Sequence, residues 1–158
     1  MLCFLRLDSE QKSCAILVGY LLRVALPDYV YRGTNETPQT IRDNKGFIAR
    51  DLDGNKSILK HCCSTRKSIY ISTTTVLEEA VRHAQKAGKG WVYKIKSKDG
   101  ILVSDFLELC SGYHKDEKEV VFPCKIPLGN VECFQIAFFT SQNKSTTDKF
   151  FPILERPH

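Results

Sequence analysis

Short runs of strand-forming residues, each ended by turn residues, recur along this chain and restrict it to a fold built from many short strands. β-branched and aromatic residues favour strands, whereas Gly, Pro, Asn and Asp tend to bound them. The runs that predict strands are 29–32, 69–71, 91–95, 101–103, 120–122 and 131–139. Their number and brevity predict a β-rich domain.

Two helices are predicted between these strands. Thr37 suits an N-cap, Pro38 suits the first helical position, and Gly46 would end a helix of about two turns. The clearer helix follows a hydroxyl cluster at 72–75, part of which we expect to form its N-cap. Apolar side chains then recur at helical spacing over 76–87. Strands and helices together predict an α+β fold in a single domain.

Composition divides the chain into a central body and two flanking segments. With 158 residues and 42% hydrophobic content, the chain is long enough to bury a core without disulfides. We expect a helical N-terminal segment over 1–26, the folded body over 27–139, and a polar loop or tail over 140–158. Within the body, 50–68 is predicted to be a long irregular loop. The apolar run at 15–22 is too short to span a membrane.

Charge and cysteine content narrow the classes of partner. Lys and Arg number 23 against 18 Asp and Glu, and the +5 charge is scattered, which favours anionic ligands such as nucleotides over nucleic acid. Seven cysteines without a C-x-x-C pair indicate free thiols in a reducing compartment. His61, Cys62 and Cys63 lack a second ligand pair at suitable spacing, so we expect no metal site.

A pair of carboxylates precedes one of the predicted strands. Glu117 and Glu119 flank Lys118 and lead into an apolar run at 120–122. Residues i and i+2 of an extended chain point to the same side, so both acids would share one face. Two adjacent like charges are unfavourable unless they share a cation, such as a cationic transition state or a guanidinium group. The ordinary alternative is a solvated, charged turn.

Two further polar features lie at strand ends. Arg32 ends an early strand, and the hydroxyl cluster at 72–75 ends a middle strand. A lone arginine in such a place is ordinarily a surface charge, and hydroxyls ordinarily cap the following helix. These readings do not explain why both features occur together with the paired glutamates, each at a strand end. The combination indicates one shared site.

Three short motifs resemble the R-S-E signature of mono-ADP-ribosyltransferases of the cholera toxin, heat-labile enterotoxin and pertussis toxin type. They are Tyr31-Arg32-Gly33, Ser72-Thr73-Thr74 and Glu117-x-Glu119. The resemblance covers about 29–139 and implies a catalytic domain over 27–139, with a two-sheet β core of short strands and a few peripheral helices. Thr74 stands where the family usually has serine, and it keeps the hydroxyl.

The resemblance implies roles around the substrate NAD. Glu119 would be the main catalytic residue, stabilising the oxocarbenium-like ribose that forms as nicotinamide leaves. Arg32 would hold the phosphate and nicotinamide-ribose region in two-pronged fashion. Gly33 would let the backbone approach the nicotinamide amide, and Ser72 would hold Glu119 in place. The other residues implied in NAD binding are Tyr31 and Thr73.

The resemblance also implies the acceptor of ADP-ribose. Glu117 would position the acceptor, and a Glu at this place goes with arginine acceptors, whereas Gln goes with others, including DNA bases. Tyr113 and His114 would lie in the loop that recognises the target protein. The implied partners are NAD and a protein arginine. The implied setting is a secreted bacterial toxin or effector that acts in the cytosol of a target cell.

Two alternatives stay open at the level of sequence. NAD hydrolysis, with water as the acceptor, uses the same chemistry. A catalytically silent module could instead use its positive charge to bind nucleic acid or an acidic protein, since lysines surround Trp91 and Tyr93. The alternation of that segment favours the solvated face of a strand.

Overall fold

The computed structural model describes residues 26–54, 56–63, 68–86, 89–103, 118–139, 144–146 and 149–153. Its helices are α1 (Pro38–Asp43), α2 (Ile58–Cys63) and α3 (Leu77–Gln85), with a 3-10 helix at Leu128–Asn130. The first five strands are β1 (Tyr29–Thr34), β2 (Gly46–Ile48), β3 (Tyr70–Thr74), β4 (Lys89–Lys96) and β5 (Ile101–Leu102). The others are β6 (Glu119–Pro123), β7 (Lys125–Pro127), β8 (Val131–Phe139), β9 (Lys144–Thr146) and β10 (Phe151–Pro152).

Eight of these strands form one sheet, and the remaining two form a small second sheet. The order across the large sheet is β10-β8-β4-β1-β3-β6-β5, with β9 paired to β8, and β2 pairs with β7. Every pairing is antiparallel. The predicted α+β class, with a single domain and a β-rich core, is confirmed.

An aromatic group fills the core between the two sheets. The ring of Tyr93 on β4 is fully buried and meets the ring of Phe47 edge-on, with centroids 5.1 Å apart. On its other side Tyr93 meets Phe134 of β8 at 6.3 Å. The small sheet is therefore held against the large one by side-chain packing. The buried aliphatic residues around these rings include Val30, Ile41, Ile71, Ile95, Val120 and Ile126.

Helix α3 lies close against β1 because Gly33 has no side chain. A Cβ atom at Gly33 would lie 1.7 Å from the carbonyl oxygen of Ala80, a distance that two non-bonded atoms cannot adopt. Ala80 and Ala84 are buried in the same contact. From the sequence we expected this glycine to let the backbone approach the nicotinamide of NAD. The structure shows that the packing of α3 against β1 already requires a glycine at this position.

The region from 50 to 78 differs from its prediction in two ways. Residues 50–68 are not wholly irregular, because they contain helix α2. The strand predicted at 69–71 continues into the hydroxyl cluster, since Ser72 to Thr74 belong to β3 and pair with β6. The cluster does not cap the next helix: Val76 is the N-cap of α3 and makes no side-chain capping bond. Pairing with β6 outweighs the capping preference of these hydroxyls.

Two helix and strand boundaries also differ from the prediction. Thr37 does cap α1, accepting the N–H of Thr40 at 3.1 Å, but the helix ends at Asp43 and Gly46 opens strand β2. The polar stretch after 140 is not only loop or tail, since β9 and β10 both pair with β8.

The predicted N-terminal helix in 1–26 lies almost wholly outside the described residues. No helix among the residues that the structure describes is long and apolar enough to cross a membrane.

Candidate active site

Arg32, Ser72 and Glu119 lie on three strands that are neighbours in the large sheet, β1, β3 and β6. All three line one pocket of about 710 Å³. Pockets that bind small molecules are commonly about 300–1,000 Å³ in volume. The three motifs that stand far apart in the sequence therefore meet at one cleft.

The register of β3 against β6 decides which hydroxyls face the carboxylate. Thr74 lies opposite Glu119, and opposed residues share one face of a sheet. Side chains alternate along a strand, so Ser72 shares that face and Thr73 takes the other. The Thr73 hydroxyl donates to the carbonyl of Val120 at 2.7 Å, within the sheet.

The Glu119 carboxylate is buried beside a histidine and a serine. Its side chain is 4% exposed, and its Oε1 lies 3.4 Å from Nε2 of His61. The same nitrogen lies 2.9 Å from Oγ of Ser72. A buried carboxylate is costly unless polar groups surround it. His61 supplies such a group at the pocket wall, and Ser72 contacts the same nitrogen of His61.

His61 is itself held from its far side. Its Nδ1 lies 2.7 Å from Oγ of Ser68, and that oxygen accepts the backbone N–H of Tyr70 at 3.0 Å. Ser68 Oγ has its own O–H to donate as well as a lone pair to accept. If it donates to Nδ1, the ring proton lies on Nε2, directed at Ser72 and Glu119.

His61 is the residue of this site that sequence reasoning missed. It lies in a segment that we predicted to be an irregular loop, and its only predicted role was that of a metal ligand beside Cys62. A single histidine in a polar segment carries no pattern, and its burial becomes visible only once α2 packs beside β3. Among the described residues, no group of three His, Cys, Asp or Glu side chains is placed to hold a metal ion.

The guanidinium of Arg32 forms the other side of the cleft. Its Nη1 donates to the carbonyl of Ser72 at 2.6 Å, and its carbon lies 5.4 Å from the ring centroid of Phe47. The side chain is only 16% exposed, and burial lowers the pKa of the guanidinium from its ordinary value. Its buried Nε has no hydrogen-bond acceptor among the residues that the structure describes. Arg32 therefore presents donor capacity that the protein does not use.

A carboxylate stands beside Arg32 on the same rim. Oε2 of Glu36 lies 3.9 Å from Nη2 of Arg32, and its side chain is 34% exposed. The hydroxyl of Thr34 donates to Oε2 at 3.3 Å and accepts the N–H of Glu36 at 3.2 Å. The hydroxyl of Tyr93 donates to the carbonyl of Glu36 at 2.6 Å. The turn that carries Glu36 is thus tied down at its N–H, its carbonyl and its side chain.

The remaining predicted site residues fall into two groups. Tyr31, Gly33 and Thr73 line the same pocket as Arg32 and Glu119, and Tyr31 also packs on the apolar cluster beneath α3. The other predicted residues, Glu117, Tyr113 and His114, lie outside the described residues.

Solved structures of bacterial toxins share this fold. A point variant of Scabin, a toxin from Streptomyces scabies, superposes with a TM-score of 0.66 at 22% identity, over 82% of this chain and 79% of that one. A mutant of the E. coli heat-labile enterotoxin gives 0.64 at 20% identity, over 78% and 74%. EcPltA gives 0.58 at 20% identity, over 79% and 83%. The fold is that of the ADP-ribosyltransferase toxins of the cholera and pertussis toxin type.

A family model narrows this class further. The model described as Scabin-like matches residues 30–147. That range holds every described strand except β10 and the first residue of β1. The chain belongs to the Scabin-like family. Comparison with curated protein sequences found no significant match.

Proposed function

We propose that this protein is a mono-ADP-ribosyltransferase that cleaves NAD and transfers ADP-ribose to a protein acceptor, with release of nicotinamide. One observation carries the proposal. A buried carboxylate, Glu119, lies 3.4 Å from His61, which also contacts Ser72, in a pocket that also presents the incompletely paired guanidinium of Arg32. The carboxylate of Glu119, fixed before the reaction, suits the positive charge that develops on the ribose of NAD. The guanidinium of Arg32, with a donor to spare, suits the negative pyrophosphate.

Glu119 would act on the ribose from which nicotinamide departs. Loss of nicotinamide leaves a ribose with oxocarbenium character, so positive charge grows in the transition state. A carboxylate whose position is already fixed stabilises that charge without reorganisation, and such stabilisation accelerates the reaction because it is strongest in the transition state. His61 and Ser72 would act by positioning Glu119.

Arg32 would bind the pyrophosphate. A guanidinium offers planar, paired donors that match phosphate oxygens, and these hydrogen bonds are strong because both groups are charged. The Nε donor without an acceptor is the group that a phosphate oxygen would complete. Tyr31, Gly33 and Thr73 line the same cleft. Tyr31 and Gly33 would contact the nicotinamide half of NAD through ring and backbone, whereas Thr73, whose hydroxyl is bonded to the carbonyl of Val120, would contribute through its backbone.

The acceptor proposed here is an arginine of a target-cell protein. Glu117, two residues before Glu119, would attract and orient a guanidinium by charge, and Tyr113 and His114 would contact the surrounding protein surface. Secretion from a bacterium and action in the cytosol of another cell complete the proposal. Free thiols suit a reducing compartment, and Scabin and heat-labile enterotoxin are bacterial toxins.

One experiment separates transfer from its alternatives. The purified protein is incubated with NAD labelled in the ADP-ribose moiety, alone, with a eukaryotic cell lysate, and with DNA. Label on protein bands that is stable to denaturation supports transfer, whereas free ADP-ribose in every reaction supports NAD hydrolysis. Label on DNA would contradict the protein acceptor, and absence of any NAD turnover would favour a silent binding module.

The variant Glu117→Gln tests the choice of acceptor within the same assay. We expect it to reduce protein modification more than NAD hydrolysis, because the acceptor and not the ribose depends on this carboxylate. Equal loss of both activities would contradict the role of Glu117.

A further inference from the structure

We propose that Glu36 makes the pocket selective for NAD over NADP, by accepting hydrogen bonds from the adenosine ribose hydroxyls and repelling a 2′-phosphate. The inference rests on the proposed function, since it concerns the substrate of the same cleft. NAD and NADP differ only by that phosphate. A carboxylate at the ribose hydroxyls is a general solution to this choice, as a basic residue is for NADP.

The contacts of Arg32 place Glu36 toward the adenosine half of the cleft. One terminal nitrogen of the guanidinium, Nη1, reaches the carbonyl of Ser72, whose side chain belongs to the Glu119 cluster. The other, Nη2, is directed at Glu36. If Arg32 binds the pyrophosphate and Glu119 faces the nicotinamide ribose, the side of Arg32 away from Ser72 receives the other ribose. Glu36 lies on that side.

The carboxylate of Glu36 is rigidly held and still reachable. Its backbone is fixed by Thr34 and by the buried hydroxyl of Tyr93. Burial raises the pKa of the Tyr93 phenol, so this hydroxyl keeps its proton and stays a donor. At 34% exposure the Glu36 side chain can still meet a ligand, and 3.9 Å to Arg32 is too long for a direct hydrogen bond. Glu36 therefore keeps acceptor capacity for a pair of ribose hydroxyls.

The charge around the pocket makes Glu36 the deciding group. Arg32, Arg50 and Lys86 all line the cleft and would favour any additional phosphate. Of the carboxylates that line the described part of the pocket, Glu119 lies in the His61 cluster and Glu79 pairs with Arg82. Glu36 is left to oppose a 2′-phosphate. Neutralising it would remove the carboxylate that stands beside Arg32 and should admit NADP.

The test measures kcat/KM for nicotinamide release from NAD and from NADP in the wild type and in Glu36→Gln. We expect the wild type to prefer NAD by about 10²-fold or more, because a 2′-phosphate would meet a carboxylate of like charge. Glu36→Gln should lower that preference at least about tenfold, chiefly through a lower KM for NADP, since the substitution removes a like charge. The matched control is Glu78→Gln, which makes the same charge change on an exposed residue of α3 that does not line the pocket.

A binding measurement gives a second readout that needs no turnover. The thermal shift produced by ADP-ribose is compared with that produced by its 2′-phosphate, and Glu36→Gln should bring the two shifts together. Wild type that cleaves NAD and NADP equally, or a preference that Glu36→Gln leaves unchanged, would overturn the role of Glu36 while leaving the proposed function intact. Wild type that neither cleaves NAD nor is stabilised by ADP-ribose would remove the proposed function itself.

Discussion

The two walls of the cleft differ in how far the protein satisfies their polar groups. The glutamate wall consists of His61, Ser72 and Glu119, in which the imidazole of His61 contacts both other side chains and is backed by Ser68. The arginine wall consists of Arg32 and Glu36, which stand 3.9 Å apart, and the Nε of Arg32 has no acceptor within the described structure.

This difference separates two tasks of a group-transfer enzyme. A group that stabilises charge in the transition state is most effective when it is fixed beforehand, as the glutamate wall is. A group that binds substrate needs spare hydrogen-bonding capacity, as the arginine wall has. Substitutions on the first wall should therefore lower kcat, and substitutions on the second should raise KM.

The largest effect is expected from Glu119→Gln. The amide keeps the size of the side chain and can still contact His61, but it removes the negative charge from the ribose. We expect nicotinamide release to fall about 10²–10³-fold or more in kcat, the usual cost of one well-placed electrostatic group. Chromatography of released nicotinamide measures the rate, and circular dichroism checks the fold. A loss confined to KM would contradict the distinction between the walls.

Arg32→Ala should act on binding. Removing hydrogen bonds to a charged group costs about 1.5–3 kcal/mol, which corresponds to about a 10–100-fold rise in the KM for NAD. Arg32→Lys serves as the matched variant, because it keeps the charge and loses the planar pair of donors. Its KM for NAD should lie between those of the wild type and Arg32→Ala. If Arg32→Ala lowered kcat with KM unchanged, the guanidinium would belong to the transition-state machinery instead.

His61→Ala should lower both activity and stability. The change leaves the buried Glu119 carboxylate and the Ser68 and Ser72 hydroxyls without the imidazole, which we expect to cost about 1–3 kcal/mol of unfolding free energy. A catalytic group misplaced by 1 Å can cost about 10²-fold in rate. Because we expect a smaller shift of the Glu119 carboxylate, kcat should fall about tenfold.

The conservative variant His61→Gln tests whether this loss arises from positioning. Its amide N–H can still point at Ser72 and Glu119, so it should recover part of kcat with KM for NAD near the wild-type value. A destabilised His61→Ala with full kcat would limit His61 to a structural role.

The smallest effect is expected from Thr37→Ala, next to the arginine wall. Loss of the cap on α1 should lower the unfolding free energy by about 1 kcal/mol in urea titration. The exposed hydroxyl of Thr40 contacts the Thr37 hydroxyl at 2.9 Å but bonds no backbone N–H of the helix, so the matched variant Thr40→Ala should cost less. Because Glu36 is tied down by Thr34 and Tyr93, kcat/KM for NAD should not change in Thr37→Ala. A marked rise in KM would show that the cap helps to hold the arginine wall.

Local patterns in the sequence predicted the elements that carry their own signal. The alternation in 91–95 and the apolar stripe of α3 are both present in the structure. Helix α2 escaped prediction because its six residues are too few to show a helical period. Strands β9 and β10 lie in polar or very short segments, and only pairing with β8 defines them. Such tertiary pairing has no counterpart in local sequence.

The site was predictable where a motif existed and not where a contact alone defined it. Arg32, Ser72 and Glu119 were singled out by residue type at predicted strand ends. Arg32 and Ser72 lie within β1 and β3 and only Glu119 begins its strand, yet all three line one pocket. His61 was missed because its partners lie in other elements. Gly33 was singled out for an approach by NAD, which stays a prediction, and the constraint shown by the structure is the carbonyl of Ala80 on α3.

The strand order has a consequence for how this protein reaches its active state. Arg32 and Ser72 are 40 residues apart along the chain, and Thr73 and Val120, which link β3 to β6, are 47 apart. Closing such long loops delays pairing, whereas a helix such as α3 can form from neighbouring residues. During refolding from denaturant, NAD turnover should therefore return only after most of the helical dichroism has recovered, which makes enzyme rate a reporter of the last step of assembly.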